Sequence, residues 1–165
     1  MLIRNAIPAD IDAIRAIELA SFSDAWSAEL LLYDIENPIT IFAVAELQPG
    51  DFSLPEARVI AYADMSIAAD EAEIRSLAVC PDFRKLGVAA ELLTQLIACA
   101  ETNGASAIYL EVRTSNEAAI ALYEKNGFEP IATRKAYYAK PKEDAIVYRL
   151  SIEPKPPAQA PVSDI

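Results

Sequence analysis

The sequence predicts a mixed α/β domain, with antiparallel strands first and a strand–helix–strand–helix–strand portion after them. In the first half of the 165 residues, short apolar segments follow one another across turn signals, whereas in the second half they alternate with amphipathic helices. The composition, 53% hydrophobic and 24% charged, is that of a globular chain. We expect one domain over residues 1–152 and a disordered tail over residues 153–165, where four prolines occur in 13 residues.

The first half contains four predicted strands and two predicted helices. Pro8 suits the first turn of a helix because its fixed φ is helical, and the apolar face of that helix is formed by Ile7, Ile11, Ile14 and Ile17. The second helix ends at Asn37-Pro38, since the residue before a proline disfavours helical backbone. In order, the predicted elements are strand Leu2–Asn5, a helix from Pro8, helix Ser27–Glu36, strand Ile41–Glu46, loop Leu47–Ala57, and strands Arg58–Ser66 and Glu71–Val79.

The second half contains two predicted helices and three predicted strands. A long helix over Gly87–Asn103 stops before Gly104, because glycine readily adopts the left-handed backbone found after helix ends. Its apolar stripe consists of Val88, Leu92, Leu96 and Ile97. Thr114-Ser115-Asn116-Glu117 matches a capping box, which opens a helix that ends at Asn126-Gly127. The three strands are Ala107–Val112, Phe128–Thr133 and Ala145–Leu150.

Composition disfavours several classes of protein. The chain has no histidine, which removes Ser-His and Cys-His catalytic pairs and histidine-containing zinc sites, and we expect no metal. The two cysteines, Cys80 and Cys99, form no metal-spaced cluster. The net charge of −11 disfavours nucleic acid and favours basic ligands. Because the sequence shows no signal peptide and no membrane-spanning run, we expect a cytoplasmic protein without a membrane partner.

The segment from Leu77 to Ala89 combines the end of a buried strand, a short turn and the start of the long helix. Free backbone N–H groups and the positive end of the helix dipole make such a start an anion site. Gly87 and Ala89 lack bulk, so a phosphate could approach the backbone, and Arg84 and Lys85 add positive charge. This charge lies in the nearly neutral half of the chain, since the first 80 residues hold 14 acidic and 4 basic side chains. The alternative is an ordinary strand–helix turn, because the RxxGxA pattern alone is weak.

A second segment places a carboxylate near the end of a strand and a tyrosine on the helix that follows. Glu111 lies in the run Leu110–Asn116, and Tyr123 follows 12 positions after Glu111 on the capped helix. A carboxylate and a phenol that converge from neighbouring elements could serve as a base and an acid. The alternative is that Glu111 pairs with a nearby cation such as Arg113 and that Tyr123 only packs.

Together, the two segments closely resemble the GNAT superfamily of acetyl-CoA-dependent N-acetyltransferases. The runs Leu110–Phe128 and Lys135–Tyr138, followed by Glu143–Ala145, are most similar to the branch that acetylates the N-terminal alanine of a small-subunit ribosomal protein. With Ala25-Trp26-Ser27 and Ile60–Val79, the resemblance covers nearly all of residues 1–150. It implies the GNAT fold, a mixed and mostly antiparallel sheet of six or seven strands that is splayed near the coenzyme A arm and flanked by helices.

The resemblance also implies roles for individual residues. Glu111 would accept the proton of the acceptor ammonium, and Tyr123 would donate a proton to the departing thiolate. Acetyl-CoA would be the co-substrate, with Asn116 hydrogen-bonded to its pantetheine. Backbone groups near the pantetheine and the acetyl carbonyl would come from Leu77, Ala78 and Val79. The pyrophosphate would be wrapped by Arg84, Lys85, Leu86, Gly87, Val88, Ala89 and Ala90.

Three aromatic residues are candidates for the acceptor site. Tyr137 and Tyr138 are predicted to lie on a loop that clamps a peptide against an acidic surface. Trp26 belongs to the same implied site, although a position in the core or in a pocket wall suits it better than direct ligand contact. The implied acceptor is a protein N-terminal peptide, of ribosomal origin in the branch that the sequence resembles.

Two other functions remain open. Within the same enzyme class, the acceptor could be a small amine or an antibiotic. From a different class, the chain could be a non-catalytic module that binds acyl-CoA as a sensor or docks on a partner. An intact Glu111–Tyr123 pair argues against the sensor, because binding alone requires neither group.

Overall fold

A computed structural model describes residues 1–53 and 55–152, apart from the side chain of Ser53. The helices of this part of the chain are α1 (Ile11–Ser21), α2 (Ala28–Glu36), α3 (Val88–Thr102) and α4 (Glu117–Lys125). The strands are β1 (Leu2–Asn5), β2 (Thr40–Leu47), β3 (Arg58–Ala68), β4 (Glu71–Val79), β5 (Ala107–Arg113), β6 (Glu129–Ala139) and β7 (Lys142–Ser151). Short 3-10 helices lie at Pro8–Asp10, Asp51–Ser53 and Pro81–Phe83.

The strands form one seven-stranded sheet in the order β1-β2-β3-β4-β5-β7-β6. All neighbouring strands are antiparallel except β4 and β5, which are parallel and are connected through α3. The predicted fold class, a mixed and mostly antiparallel sheet flanked by helices, is therefore confirmed.

Two apolar layers cover opposite faces of the sheet. The layer on the α3 face contains Leu92 and Leu96 of α3, Leu110 of β5 and Tyr123 of α4. The layer on the α1 face contains Ile14 and Ile17 of α1 together with Leu31, Phe42, Val44, Tyr62 and Ala78. Strand β2 shows the alternation that separates them, because Phe42 and Val44 belong to one layer and Ala43 and Ala45 to the other. Burial on both faces holds the sheet between its helices.

Most predicted elements lie within one or two residues of the observed ones, but the predicted capping box is wrong. The side chain of Asn116, not Thr114, caps α4 by accepting a hydrogen bond from the Ala119 N–H at 3.2 Å. Thr114 is committed elsewhere, since its hydroxyl donates to the Glu143 carboxylate of β7 at 2.9 Å. At the other predicted helix, Ile7 precedes the 3-10 turn and is exposed, so it contributes nothing to the apolar face of α1.

The last hairpin is longer than the sequence predicts. Strands β6 and β7 extend over Glu129–Ala139 and Lys142–Ser151, so Tyr137 and Tyr138 lie on a strand and not on a loop. The pairing of β6 shifts register twice, between Pro130 and Ala132 and between Arg134 and Tyr138. Such bulges break the two-residue alternation by which a strand is identified in a sequence.

Two further findings concern the described residues. None of their helices combines the length and apolar character needed to cross a membrane. No three of their Asp, Glu, Cys or His side chains are arranged as a group that could hold a metal ion. The predicted disordered tail, residues 153–165, lies outside the described part of the chain, and the domain boundary at residue 152 stays a prediction.

Candidate active site

The parallel pair β4–β5 separates half-way along its length. Pairing runs from Glu71 and Ala107 to Ile74 and Leu110 and then stops, although both strands continue. A β-bulge accompanies the separation, because Met65 pairs with Ile74 and Asp64 with Ser76, which leaves Arg75 unpaired with β3. An opening therefore lies between residues 75–79 of β4 and residues 111–113 of β5.

Backbone groups of β4 face this opening. Hydrogen-bonded and non-hydrogen-bonded pairs alternate along antiparallel strands, and the Cys80 N–H donates to the Ile60 carbonyl at 2.8 Å. By this alternation, Leu77 and Val79 direct their N–H and C=O groups away from β3 and into the opening, whereas Ala78 faces Tyr62 on β3. Of the three residues predicted to offer backbone groups to acetyl-CoA, Leu77 and Val79 thus direct these groups into the opening, and Ala78 does not.

The turn before α3 is a helix start without a side-chain cap. Lys85 and Gly87 both have left-handed backbone, with φ of 62° and 82°, and a Cβ at Gly87 would meet nothing within 4 Å. The first helical bond runs from the Glu91 N–H to the Gly87 carbonyl at 3.1 Å, so the N–H groups of residues 88–90 have no partner within the helix. Such a row of donors at the positive end of a 15-residue helix is suited to an anion.

The Arg84 side chain does not join this row of donors. Its Nε donates to the Val79 carbonyl at 3.0 Å, and its Nη2 donates to the Ser21 hydroxyl at 3.2 Å. Arg84 thus fixes the end of β4 against the end of α1, whereas Lys85 and Leu86 lie exposed on the turn. Positive potential at the turn comes from the backbone N–H groups and from Lys85.

Glu111 lies beside the opening on the α1 face of the sheet. Its neighbours Leu110 and Val112 point into the layer on the α3 face, so strand alternation places Glu111 on the other side. The side chain is only 13% exposed, and its Oε1 lies 3.2 Å from Nη1 of Arg134. Burial raises the pKa of the Glu111 carboxyl above its ordinary value, while Arg134 opposes this shift and Glu73 adds to it. A raised pKa makes a carboxylate a better proton acceptor near neutral pH.

Tyr123 lies on the α3 face and is buried in the layer beneath α3 and α4. Its ring packs 5.7 Å from the ring of Phe128, centroid to centroid. Burial, with a contribution from Tyr138, raises the pKa of the Tyr123 phenol to about 12. Tyr138 lies near both candidate groups, because Glu111 in turn contributes to the raised pKa of Tyr138. The structure therefore places the Glu111 carboxylate and the Tyr123 phenol on opposite faces of the sheet.

On the α1 face, Arg113 connects the segment between α1 and α2 with the β6–β7 turn. Its guanidinium lies 4.0 Å from the centroid of the Tyr138 ring and donates to the Lys140 carbonyl at 3.1 Å. It also contacts the Ser23 hydroxyl at 3.4 Å, and Ser23 itself donates to the Lys140 carbonyl. These contacts build a polar wall beside Glu111. The sequence suggested Arg113 only as a partner for Glu111, although a spacing of two residues on β5 places both side chains on one face.

The predicted acceptor residues occupy two separate places. The rings of Tyr137 and Tyr138 pack edge to face with centroids 5.1 Å apart, and the aromatic pairs of the described residues do not join Trp26 to either. Trp26 packs at the edge of the layer on the α1 face, with the Arg75 guanidinium 5.8 Å from its ring. Its backbone N–H donates to the Glu18 carboxylate at 2.8 Å. Trp26 thus packs against the core in this structure, and its place in an acceptor site stays a prediction.

Several carboxylates of the first 80 residues are already engaged in hydrogen bonds and ion pairs within the protein. Glu18 is buried and accepts a hydrogen bond from the Tyr62 hydroxyl as well as from Trp26. Five further carboxylates form ion pairs: Asp10, Asp34, Glu46, Asp51 and Asp64. The surface excess available for a basic ligand is therefore smaller than the composition implies.

Fold and site together define an acetyltransferase with a splayed sheet, and the comparisons with known proteins agree. The acetyltransferase (GNAT) family profile matches residues 11–128, and the chain belongs to this family. A relative from Haemophilus ducreyi, a ribosomal protein bS18-alanine N-acetyltransferase, is 33% identical over 152 residues, which cover 90% of this chain and 99% of the relative. A Salmonella typhimurium protein of the same name is 45% identical over 97 residues, covering 58% of this chain and 66% of the relative.

A solved structure extends this similarity to three dimensions. The crystal structure of the ribosomal-protein-S18-alanine N-acetyltransferase from Escherichia coli superposes with a TM-score of 0.80 at 32% identity, covering 92% of this chain and 94% of that one. The similarity in three dimensions therefore extends over most of the chain.

Proposed function

We propose that the protein transfers the acetyl group of acetyl-CoA to the α-amine of a protein N-terminus, with the N-terminal alanine of ribosomal protein bS18 as the favoured acceptor. One observation carries the proposal: a half-buried carboxylate lies beside the opening between β4 and β5 on one face of the sheet, and a buried phenol lies on the other face. The acceptor amine can then approach the acetyl carbonyl from one face while the thiolate leaves toward the other, which suits direct attack in a ternary complex. The names of the relatives support the acceptor, and a cytoplasmic location follows from it.

The α3 face suits the donor. The N–H groups of residues 88–90 would receive the pyrophosphate, with Lys85 adding charge, and Leu77 and Val79 would offer backbone groups to the pantetheine. The Asn116 oxygen is used to cap α4, so its amide nitrogen would donate to the pantetheine. Arg84 would act indirectly by fixing the Val79 peptide. We expect no metal in this chemistry.

The α1 face suits the acceptor and the first proton transfer. An N-terminal amine has a pKa of about 7.7–8, so Glu111 need only assist its deprotonation, directly or through one water. The amine nitrogen then forms a bond to the acetyl carbon, and a backbone N–H near Val79 stabilises the negative oxygen. When the C–S bond breaks, the thiolate of coenzyme A takes the proton of Tyr123, and the second proton lost by the attacking nitrogen restores the phenol through water. Tyr137, Tyr138 and the wall around Arg113 would hold the peptide.

The first test of this proposal concerns Gly87. We expect Gly87→Glu to weaken coenzyme A binding by roughly tenfold or more. Its carboxylate would occupy the space for the pyrophosphate and would cancel the positive end of the helix dipole that attracts an anion. Calorimetry with coenzyme A measures the loss. Gly87→Asn is the matched control, since asparagine tolerates left-handed backbone without adding charge. Equal affinity in folded Gly87→Glu and Gly87→Asn proteins would contradict a phosphate site at this turn.

A second test separates the candidate functions. We expect a peptide with an N-terminal alanine to be acetylated on its α-amine, whereas the same peptide with a blocked N-terminus and a panel of small polyamines and aminoglycosides should react at least about tenfold more slowly in kcat/KM. Mass spectrometry locates the acetyl group, and thiol release gives the rates. Preference for a small amine would support the alternative acceptor, and binding of coenzyme A without any thiol release would support the sensor.

A further inference from the structure

Glu111 has an ionic partner that the proposed chemistry does not use. Nη1 of Arg134 lies 3.2 Å from Oε1 of Glu111, and the two side chains are 55% and 13% exposed. Among the described residues, this is the one ion pair that Glu111 forms. A half-exposed cation therefore lies against a carboxylate that is partly shielded from solvent.

The sheet register explains how a residue on β6 reaches β5. Arg134 pairs with Ala145 of β7, and Ala145 pairs with Arg113 of β5. These three residues therefore form one row across β6, β7 and β5 and share the α1 face. The next row on that face runs from Ala132 through Val147 to Glu111. The Arg134 side chain thus crosses β7 diagonally, over the small side chain of Ala145, to reach the carboxylate.

The local backbone holds Arg134 in this place. Immediately after it, the register of β6 shifts, and Ala136 has left-handed backbone with φ of 51°. The Ala136 N–H donates to the Asp144 carboxylate at 2.8 Å, and Lys135 donates to the same carboxylate at 2.7 Å. The Arg134 guanidinium also lies 5.4 Å from the centroid of the Tyr137 ring. Aromatic contact and a fixed bulge together keep the cation beside Glu111.

We propose that Arg134 is a positioning residue for acetyl transfer, which holds Glu111 ionised on the acceptor face until the ammonium of the acceptor replaces it. This inference rests on the proposed role of Glu111 as proton acceptor. The guanidinium and the ammonium carry the same charge, so the exchange never leaves a buried carboxylate unpaired, which would be costly. Because the Arg134 side chain is 55% exposed, it can move into solvent when the amine enters.

The groups that face Glu111 define the expected pH behaviour. Arg134 on β6 favours the ionised form, whereas burial and Glu73 on β4 oppose it, and Tyr138 on β6 is neutral near pH 7 because its own pKa is raised to about 12. Removing the guanidinium takes away the favourable contribution. The pKa of Glu111 in the free protein should therefore rise in Arg134→Met, by about one unit for a partly exposed pair.

A carbon-13 NMR titration of the Glu111 carboxyl tests this without any turnover. The signal is assigned by its loss in Glu111→Gln. We expect a pKa higher by about one unit in Arg134→Met and largely restored in Arg134→Lys. Lys125→Met is the control, because it removes an equal charge from an exposed side chain of α4, which packs on the other face of the sheet; the Glu111 pKa should not change in this variant. An unchanged pKa in Arg134→Met would overturn the proposal.

The pH dependence of kcat/KM with one acceptor peptide gives the second readout. The acid limb should move to higher pH in Arg134→Met and back in Arg134→Lys, because less Glu111 is ionised at a given pH without the cation. A merely structural role would lower activity equally at all pH values, and that result would also overturn the proposal. Full activity in Glu111→Gln would instead refute the proposed role of Glu111, while the NMR titration would still report on Arg134.

Discussion

Replacing Tyr123 with phenylalanine should lower kcat by roughly 10²–10⁴-fold, the usual contribution of a general acid. The phenol is the protonated group on the donor face, and its pKa of about 12 keeps it protonated throughout the neutral range. Without it, the thiolate of coenzyme A must leave unprotonated or take a proton from water. Packing against Phe128 is retained in the variant, because only the hydroxyl is removed. Thiol release under single-turnover conditions measures the chemical step directly.

The control for this experiment is another buried tyrosine of the same layer. The Tyr148 hydroxyl donates to the Glu124 carboxylate at 2.9 Å, so Tyr148→Phe removes a comparable hydroxyl from the core. We expect it to cost about 0.5–1.5 kcal/mol of stability and to leave kcat unchanged. Near wild-type single-turnover rates in folded Tyr123→Phe would return Tyr123 to a packing role and would remove the acid from the proposed mechanism.

Local signals predicted the order and type of the elements. Gly104 and Gly127 follow α3 and α4 with positive φ of 79° and 85°, which only a glycine adopts without strain, so both helix ends were evident in the sequence. Strand β4 agrees with its predicted range, Glu71–Val79, because polar and apolar residues alternate from Glu71 and the pattern ends before Cys80-Pro81. The turn before α3 could be predicted as an anion site for the same reason, because its glycine and the helix after it are adjacent in the chain.

Contacts between distant segments could not be predicted in this way. Arg134 and Glu111 are joined across β7 only because β6 bulges, and a bulge has no regular signal in the sequence. Likewise, the position of Arg84 beside the turn suggested that this residue holds phosphate. The hydrogen bond from Arg84 to the Val79 carbonyl was not evident, because it depends on where β4 ends relative to the turn. The chemistry of the site could thus be proposed from residue types, but the groups that position it could not.

The bulge that opens the sheet is stabilised by a buried charge cluster. Arg75, the bulged residue of β4, donates from Nη2 to the Asp64 carboxylate at 2.8 Å and to the Thr40 hydroxyl at 3.2 Å. The same nitrogen lies 3.0 Å from Oδ1 of Asp34 on α2. Asp64 is completely buried, and this burial raises its pKa to about 6 in spite of Arg75. One guanidinium therefore compensates two carboxylates where β4 turns away from β5.

Arg75→Met should lower the free energy of unfolding by about 3–5 kcal/mol at pH 8, because Asp64 and Asp34 would remain buried without the cation that pairs with them. The loss should be smaller at pH 5. The pKa of Asp64 in the folded protein is already about 6 and would rise further without Arg75, whereas in the unfolded chain it is about 3.9. At pH 5, Asp64 is therefore protonated in the folded variant but mostly ionised in the unfolded chain. Protonation thus relieves the unpaired charge only in the folded state. Urea unfolding at both pH values measures the difference. Arg149→Met is the control, because within the described part of the chain Arg149 forms no ion pair and contacts only the Tyr109 ring. An equal loss at pH 5 and pH 8 would mean that Arg75 stabilises the bulge by packing and not by charge.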